Sequence, residues 1–339
     1  MLRIFGYRLA GAVPVLLLVT LAIFALLRLA PGDAASALAS DDASPEEIAR
    51  LRAQWGLDQP IIVQFFLFLR NALRFDFGIS YRYNDAISSL IADRLPATIE
   101  LAIVALLIAI LIAVPLGVYT ALHKGKWLDS AGSIFAVAGV SAPAFWVGIL
   151  LVLLFSEHLN LLPSGGRLPV DARLQSFTGL VLIDSLVQGR WAEFAAGLRH
   201  LVLPALTLAL GMLGIIMRIT RSSIIDVGQE EFITTAVAKG VARKHVITRH
   251  LMPNAAIPIL TIIGLEMGTL ISGSIIVEVV FSWPGLGSLL YQAVTVRDLP
   301  LTTGIVVTYT FAFIILNLCV DAAYMLIDPR LRERPGSEK

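Results

Sequence analysis

Residues 229–258 read QEEFITTAVAKGVARKHVITRHLMPNAAIP, a basic and partly amphipathic stretch set between two strongly apolar ones. A chain that only had to turn back into a membrane would use a few residues here. Thirty residues of patterned sequence predict a docking surface instead. Gly228 can end the preceding helix, Glu230 and Glu231 suit a new helix N-terminus, and Gly240 suits a left-handed C-terminal position. The expectation is a helix over residues 231–239, a turn at Gly240, and a second helix from about Ala242 leading into Pro253 and Pro258. Phe232, Thr235, Ala236 and Lys239 recur at spacings of three and four and so share one face. One aromatic, small residues and one cation suit insertion into a groove on a partner. A solvated basic linker, or a helix lying on anionic lipid, fits the same composition.

The flanking segments set the fold class. The chain has 339 residues, 57% of them hydrophobic and 15% charged, with a mean hydropathy of +0.81. That is too apolar for a soluble fold and predicts an all-α polytopic membrane protein. The single cysteine, Cys319, lies in an apolar run, which leaves neither a disulfide framework nor a thiolate metal cluster. Apolar runs suited to crossing about 30 Å of hydrocarbon fall at residues 9–27, 97–122, 131–155, 201–217, 258–281 and 302–327, giving six transmembrane helices. The first competes with a cleaved signal peptide, but it is longer than a usual signal core and more spans follow. Pro115-Leu116-Gly117 predicts a kink in the second span, and Ser141-Ala142-Pro143 an interruption of the third.

Between these runs lie segments too short or too polar to cross. Residues 61–73, IIVQFFLFLRNAL, are apolar and aromatic, and their length places them against the membrane surface or the other spans. Residues 179–187 are also too brief to cross. The organisation is a tail and first span over 1–29, an extramembrane insert over 30–95, a core over 96–327 that contains the 229–258 loop, and a tail over 328–339. In the insert, Pro31-Gly32-Asp33 is a break, and the run of Asp41, Asp42, Ser44, Pro45, Glu46 and Glu47 is a helix start with acids in its first turn.

Basic residues set the orientation. With the N-terminus inside, the cytoplasmic groups are Arg3 and Arg8; Lys124 and Lys126; Arg218, Arg221, Lys239, Arg243, Lys244 and Arg249; and Arg330, Arg332, Arg334 and Lys339. The long outer loops offset their cations with acids such as Asp33, Asp58, Asp76, Asp171 and Asp184. The prediction is N-in and C-in, with residues 229–258 in the cytoplasm.

Four acids fall within the spans: Glu100 at the outer end of the second, and Glu266, Glu278 and Asp321. Counted from Ala256, Glu266 lies roughly 15 Å deep, near the midplane, where a carboxylate must face a cavity or a partner. It either lines a translocation path or is held protonated or hydrogen-bonded to a neighbouring subunit. Glu278, twelve residues on, is rotated by about 120° towards the outer surface, where bonding to backbone of the 281–287 turn is favoured. Asp321, in the last turns of the sixth span, is favoured for helix packing or capping. His245 and His250, five apart, point to different faces of a helix and do not form a metal pair. The one Gly-Lys, Gly125-Lys126, is followed by Trp127, so no phosphate-binding loop is present and the chain does not hydrolyse ATP. Neither a G-x-S-x-G elbow nor an H-E-x-x-H helix occurs, and topology accounts for the basic residues, which leaves no case for nucleic-acid binding.

Phe232-Ile233-Thr234-Thr235-Ala236-Val237-Ala238-Lys239-Gly240, followed by Arg249-His250-Leu251-Met252-Pro253-Asn254-Ala255 and Pro258, resembles the cytoplasmic coupling motif of binding-protein-dependent ABC-importer permeases, in their peptide/nickel branch. Further pieces are similar to that family in order and spacing. They are Arg28-Leu29-Ala30-Pro31-Gly32-Asp33, Phe75-Asp76-Phe77-Gly78-Ile79-Ser80, Leu95-Pro96-Ala97-Thr98-Ile99-Glu100-Leu101, the run from Val277 through Phe281-Ser282-Trp283-Pro284-Gly285-Leu286-Gly287, Arg297-Asp298-Leu299-Pro300 and Asp328-Pro329-Arg330.

The resemblance implies an inner-membrane subunit forming half of an uptake pathway for peptides or a related small solute. Its implied partners are a second permease, two cytoplasmic ATPases that bind ATP and Mg, and a periplasmic solute-binding protein that meets residues 30–95 and 156–200. No cofactor is implied on this chain. It implies that Phe232, Thr235, Ala236, Lys239 and Gly240 form the ATPase coupling site, with Glu266 in the pathway. The family's usual Glu-Ala-Ala is Thr234-Thr235-Ala236 here, and basic positions of the peptide branch are Thr234 and Val237. A proton-driven secondary transporter using Glu266 and Asp321 would call for paired interrupted helices in inverted repeats. A membrane scaffold that only recruits a cytoplasmic partner is the third reading.

Overall fold

The computed structural model describes residues 2–29, 44–54 and 56–327; among them the chain is helical, and the only β pairing is an isolated bridge between Ile79 and Ala86. In order the helices are α1 (Leu2–Leu29), α2 (Pro45–Gln54), α3 (Ile61–Ala72), α4 (Ile87–Leu122), α5 (Trp127–Ser141), α6 (Ala144–Leu151), α7 (Val181–Val187), α8 (Trp191–Gly228), α9 (Glu231–Ala238), α10 (Arg243–His245), α11 (Met252–Val280), α12 (Leu286–Thr295) and α13 (Leu299–Ile327). Turns of π type over Val152–His158 and Val246–Leu251 prolong α6 and α10. The Pro31-Gly32-Asp33 break, Asp41 and Asp42, and the tail from Asp328 lie outside the described residues.

Among the described residues four helices, Ile87–Leu122, Trp191–Gly228, Arg243–Leu270 and Leu299–Val320, are long and apolar enough to cross a membrane. Gly11–Leu27, Ile61–Ala72 and Ala144–His158 are shorter apolar helices. The protein is therefore a multi-pass membrane protein. The expected interruption of the third span is present: α5 ends at Ser141, and Pro143, in extended conformation, caps α6.

The chain divides into two compact units, residues 2–98 with 284–314, and residues 99–283 with 315–327. In the first, Phe24 of α1 is buried, with its ring 5.3 Å from Phe65 and 6.0 Å from Phe68 of α3, and Phe68 lies 6.5 Å from Phe77. The helix start read in the insert is a reciprocal cap: Ser44 N–H donates to Glu47 Oε2 at 2.8 Å, Glu47 N–H donates to Ser44 Oγ at 3.3 Å, and Pro45 takes the first helical position. Buried Asp298 accepts from Ser80 Oγ at 2.5 Å and from the Arg82 N–H at 3.0 Å, which ties the 75–86 turn to the start of α13.

In the second unit α8 is the central element, packed against α5, α6, α7 and α11. The apolar run 201–217 is the middle of a helix of 38 residues; Arg199, His200 and Arg218 interrupt the hydropathy but not the helix. Its neighbours approach closely. α4 stays helical through Pro115-Leu116-Gly117, and Gly117 serves packing: a Cβ there would lie 2.7 Å from Thr220 Cβ and 2.8 Å from the Met217 carbonyl oxygen. Leu101, Ala105, Ala109, Ala113 and Ala121, spaced by fours in register with Gly117, are all buried. Such a stripe of small residues lets helix backbones approach where no water is available to drive them together.

Candidate coupling site and its charged anchors

α8 ends at Gly228, beside Leu251 of the returning element. α9 begins after extended Glu230, with Glu231 in its first turn, where an acid complements the helix dipole. Its end is built by backbone: the Gly240 N–H donates to Val237 O at 2.9 Å, the Val241 N–H donates to Ala236 O at 3.2 Å, and Gly240 has φ +74°. These are the paired bonds of a Schellman turn, which requires the left-handed residue read at Gly240. The chain then returns through α10 and the π-type turns directly into α11, so the second helix read from Ala242 is the lower end of that long helix.

α9 packs on residues 246–251, where Val246 and Leu251 are buried. Its inward side is Ile233 and Ala236, both buried, while Phe232 is 42% exposed and Thr234, Thr235, Val237 and Lys239 are exposed. The face drawn from spacing is thereby corrected at one position: Ala236 turns towards the chain's own return segment, leaving Phe232, Thr235 and Lys239 outward. The reason is that the 246–251 element covers the small-residue side of α9, a contact between segments that local periodicity does not contain.

Seven residues before the end of α8, Arg221 grips Asp129 at the start of α5 through two bonds, Nε to Oδ1 at 2.5 Å and Nη2 to Oδ2 at 2.8 Å. The Gly125 N–H adds a third at 3.0 Å. The Arg221 bonds, then the Gly125 bond, outweigh burial and hold the Asp129 carboxyl down at about 2. This pair fixes the last turns of α8 to the 123–129 turn, about 10 Å of helix before α9 begins.

A second anchor lies at the other end of α8. Buried Glu100 accepts from Arg167 Nη2 at 2.5 Å, from Arg167 Nε at 3.2 Å and from the Leu182 N–H at 2.7 Å. Arg167 also donates to Gly179 O at 2.6 Å and lies over the Trp283 ring at 5.8 Å. Nearby Asp184, at 2% exposure, feels burial pushing its carboxyl up, but bonds from the Thr178 hydroxyl and the Thr178, Phe177 and Gly179 N–H groups leave it below the usual range. Glu100 falls in the family-like piece 95–101, whereas Asp129, Arg221, Arg167 and Asp184 lie in no motif read from the sequence.

Glu266 is buried in α11 and accepts from Thr269 Oγ1 at 3.1 Å. Fully buried Glu278 sits in the last turn of α11, and its main-chain carbonyl accepts the Trp283 N–H at 2.8 Å. Asp321 falls in α13, and its side chain lies outside the described ones. The structure does not bring Glu266, Glu278 and α9 together: Glu266 and Glu278 lie well along α11, whereas α9 packs on the segment that precedes that helix.

An all-helical, multi-pass subunit with a short, firmly terminated and outward-facing helix between two long apolar ones is a membrane transport component built to work with partner chains. Residues 113–333 match the family described as binding-protein-dependent transport system inner membrane component, and residues 1–102 match its N-terminal region. The chain belongs to this family.

It is 40% identical over 328 residues to the probable D,D-dipeptide transport system permease protein DdpB of Escherichia coli K12, covering 96% of each chain. It is 37% identical to the dipeptide transport system permease protein DppB of the same organism, covering 98% of this chain and all of that one. In fold it is similar to a chain of the MetNI methionine ABC transporter in an inward-facing conformation, with a TM-score of 0.53 at 14% identity over 70% of this chain and 96% of that one. The protein is thus a permease subunit of an ABC importer, not an enzyme, and ATP hydrolysis lies in a partner subunit. The readings as a proton-driven transporter or a scaffold fall with that assignment.

Proposed function

We propose that this chain forms one half of the pathway by which an ATP-driven importer of the bacterial inner membrane takes up peptides or a related small solute. Six helices cross, with both termini in the cytoplasm: the four long apolar ones, α1, and the tract from α5 through α6. A second permease completes the pathway, two cytoplasmic ATPases bind ATP and Mg, and a periplasmic binding protein delivers the solute to residues 30–95 and 156–200. This chain itself holds no cofactor.

The observation that carries the reading is α9, whose inner side is fixed by Ile233 and Ala236 while Phe232, Thr235 and Lys239 point outward. A helix held this way moves as a body when an ATPase cleft closes on it, and α11, continuous with its return segment, transmits the displacement. Glu266 lies along the path, while Glu278 and Asp321 serve packing or gating. Peptides are favoured because the relatives DdpB and DppB are named for dipeptide transport.

The test is uptake of labelled dipeptides by the complete transporter in vesicles. Uptake that needs ATP and the binding protein and survives a protonophore supports the proposal, whereas uptake collapsed by the protonophore overturns it. If no dipeptide or longer peptide enters while another small solute does, the peptide assignment fails and the pathway stands.

A further inference from the structure

The helix α3 has two unlike sides. Phe65 and Phe68 meet Phe24 of α1, whereas Ile62 is 71% exposed, Phe66 is 63% exposed, and Leu73 just past the helix end is 79% exposed. Ile62, Phe66 and Arg70 form one row at spacings of four, and Arg74 follows in the turn beyond. Arg70 and Arg74 are exposed, and neither makes an ion pair among the described residues. An apolar row that ends in two free cations is the pattern of a helix lying in a membrane interface.

The contact with Phe24 supplies the depth. Phe24 stands four residues before Arg28, the charge that closes the apolar run of the first span, which is about 6 Å along a helix at 1.5 Å per residue. Interfacial helices bury their apolar face about 5–10 Å into the boundary between headgroups and acyl chains. The aromatic staple therefore holds α3 at the level where Ile62 and Phe66 meet acyl chains and Arg70 and Arg74 meet headgroups.

Resting on the reading of α1 as a span whose C-terminal end faces outward, we propose that α3 is an interfacial anchor in the outer leaflet, with Arg70 and Arg74 engaging the phosphates of anionic phospholipid. Through Phe24 it sets the depth of the first span. The partner is lipid, because the cations need an anionic surface and the apolar row sits at the depth where one meets hydrocarbon.

The experiment places an environment-sensitive fluorophore on Phe66→Cys in the Cys319→Ser background, in the assembled transporter in vesicles of phosphatidylcholine with phosphatidylglycerol. Leu18→Cys, midway along α1, and Glu46→Cys, on exposed α2, are the controls. The expected result is quenching at Phe66 by lipid spin-labelled near the headgroup, several-fold above quenching by aqueous iodide. Iodide quenching at Phe66 like that at Glu46 overturns the proposal, and so does protection from both quenchers, which means that a protein chain covers the row. Leu18 should respond to lipid labelled deep in the acyl chain; if it does not, the span reading falls and takes the anchor with it. If Leu18 responds and Phe66 does not, the anchor alone is wrong. Arg70→Gln with Arg74→Gln should abolish the excess of phosphatidylglycerol over phosphatidylcholine that co-purifies with the transporter, and an unchanged excess refutes the phosphate contact.

Discussion

Asp129 and Arg221 stand 92 positions apart in sequence and are joined by two parallel hydrogen bonds of 2.5 and 2.8 Å. Fork-to-carboxylate geometry of this kind fixes direction as well as distance, so the end of α8 is held in one orientation just ahead of α9. Arg221→Lys keeps the charge but loses the fork. It should leave ATPase binding intact while lowering solute imported per ATP hydrolysed, measured on the reconstituted complex. An unchanged ratio would reduce the pair to a packing role.

The same pair predicts a pH effect of defined sign. The folded Asp129 carboxyl is held at about 2, below its ordinary value of 3.8. A depressed carboxylate contributes stability that is fully present above the unfolded value and is lost as pH falls through the folded one. Asp129→Asn should lower stability by about 1–3 kcal/mol near neutrality, as for loss of a charge-assisted hydrogen bond. The gap between variant and parent should close between about pH 4 and pH 2, read from thermal unfolding in detergent.

Gly240 allows backbone and side-chain effects to be separated, because a Cβ there would meet nothing within 4 Å. Within this chain, any consequence of substitution comes from φ +74° alone. Gly240→Asn, which tolerates the left-handed region, should retain ATPase co-purification and uptake. Gly240→Val, strained by more than about 1–2 kcal/mol, should lose the Schellman turn and much of both. Equal behaviour of the two variants would remove the turn from the coupling mechanism.

The two sides of α9 should respond differently to truncation. Phe232→Ala removes an exposed ring and should change stability by no more than about 0.5 kcal/mol. If the ring fills a groove on the ATPase, the same change weakens ATPase binding by more than about 1 kcal/mol, roughly fivefold. Ile233→Ala opens the inner contact and should cost about 2–5 kcal/mol of stability. Titration of purified ATPase onto each permease variant, beside its melting curve, separates these outcomes.

Local chemistry was legible in the sequence, and long-range pairing was not. Gly240 and the 231–239 helix could be read because a left-handed cap and an acidic first turn depend on residues within a few positions. The long apolar helices could be read because hydrocarbon thickness sets their length. Ala236 lies on the inner side of α9, against a segment ten to fifteen residues on, and helix periodicity says which residues share a face but not what that face meets. In the sequence Arg221 is a topological cation and Glu100 the acid of a family-like piece, and neither shows its ion-pair partner, which lies 92 and 67 positions away.

Glu266, buried with a bond from Thr269, separates a pathway role from a packing one. Glu266→Gln keeps the shape and removes the charge. On the pathway it should change the apparent affinity for solutes bearing a free amino group more than for those with a blocked one. Equal uptake of both kinds, with unchanged stability, would place Glu266 outside the path.

Glu100 and Arg167 form the anchor most costly to break, because Arg167→Ala leaves a carboxylate at 5% exposure with only the Leu182 N–H for company. Orphaning a buried charge costs about 3–5 kcal/mol, while removing both members costs much less. Arg167→Ala should therefore destabilise the subunit strongly and expose residues 163–190 to protease, since Arg167 also holds Gly179 O and covers Trp283. Adding Glu100→Gln to Arg167→Ala should restore part of the loss, which additive single-site effects cannot do. Thermal unfolding and timed proteolysis of the parent, both single variants and the double variant complete the cycle. If the double variant is no more stable than Arg167→Ala, the ion pair does not hold that loop.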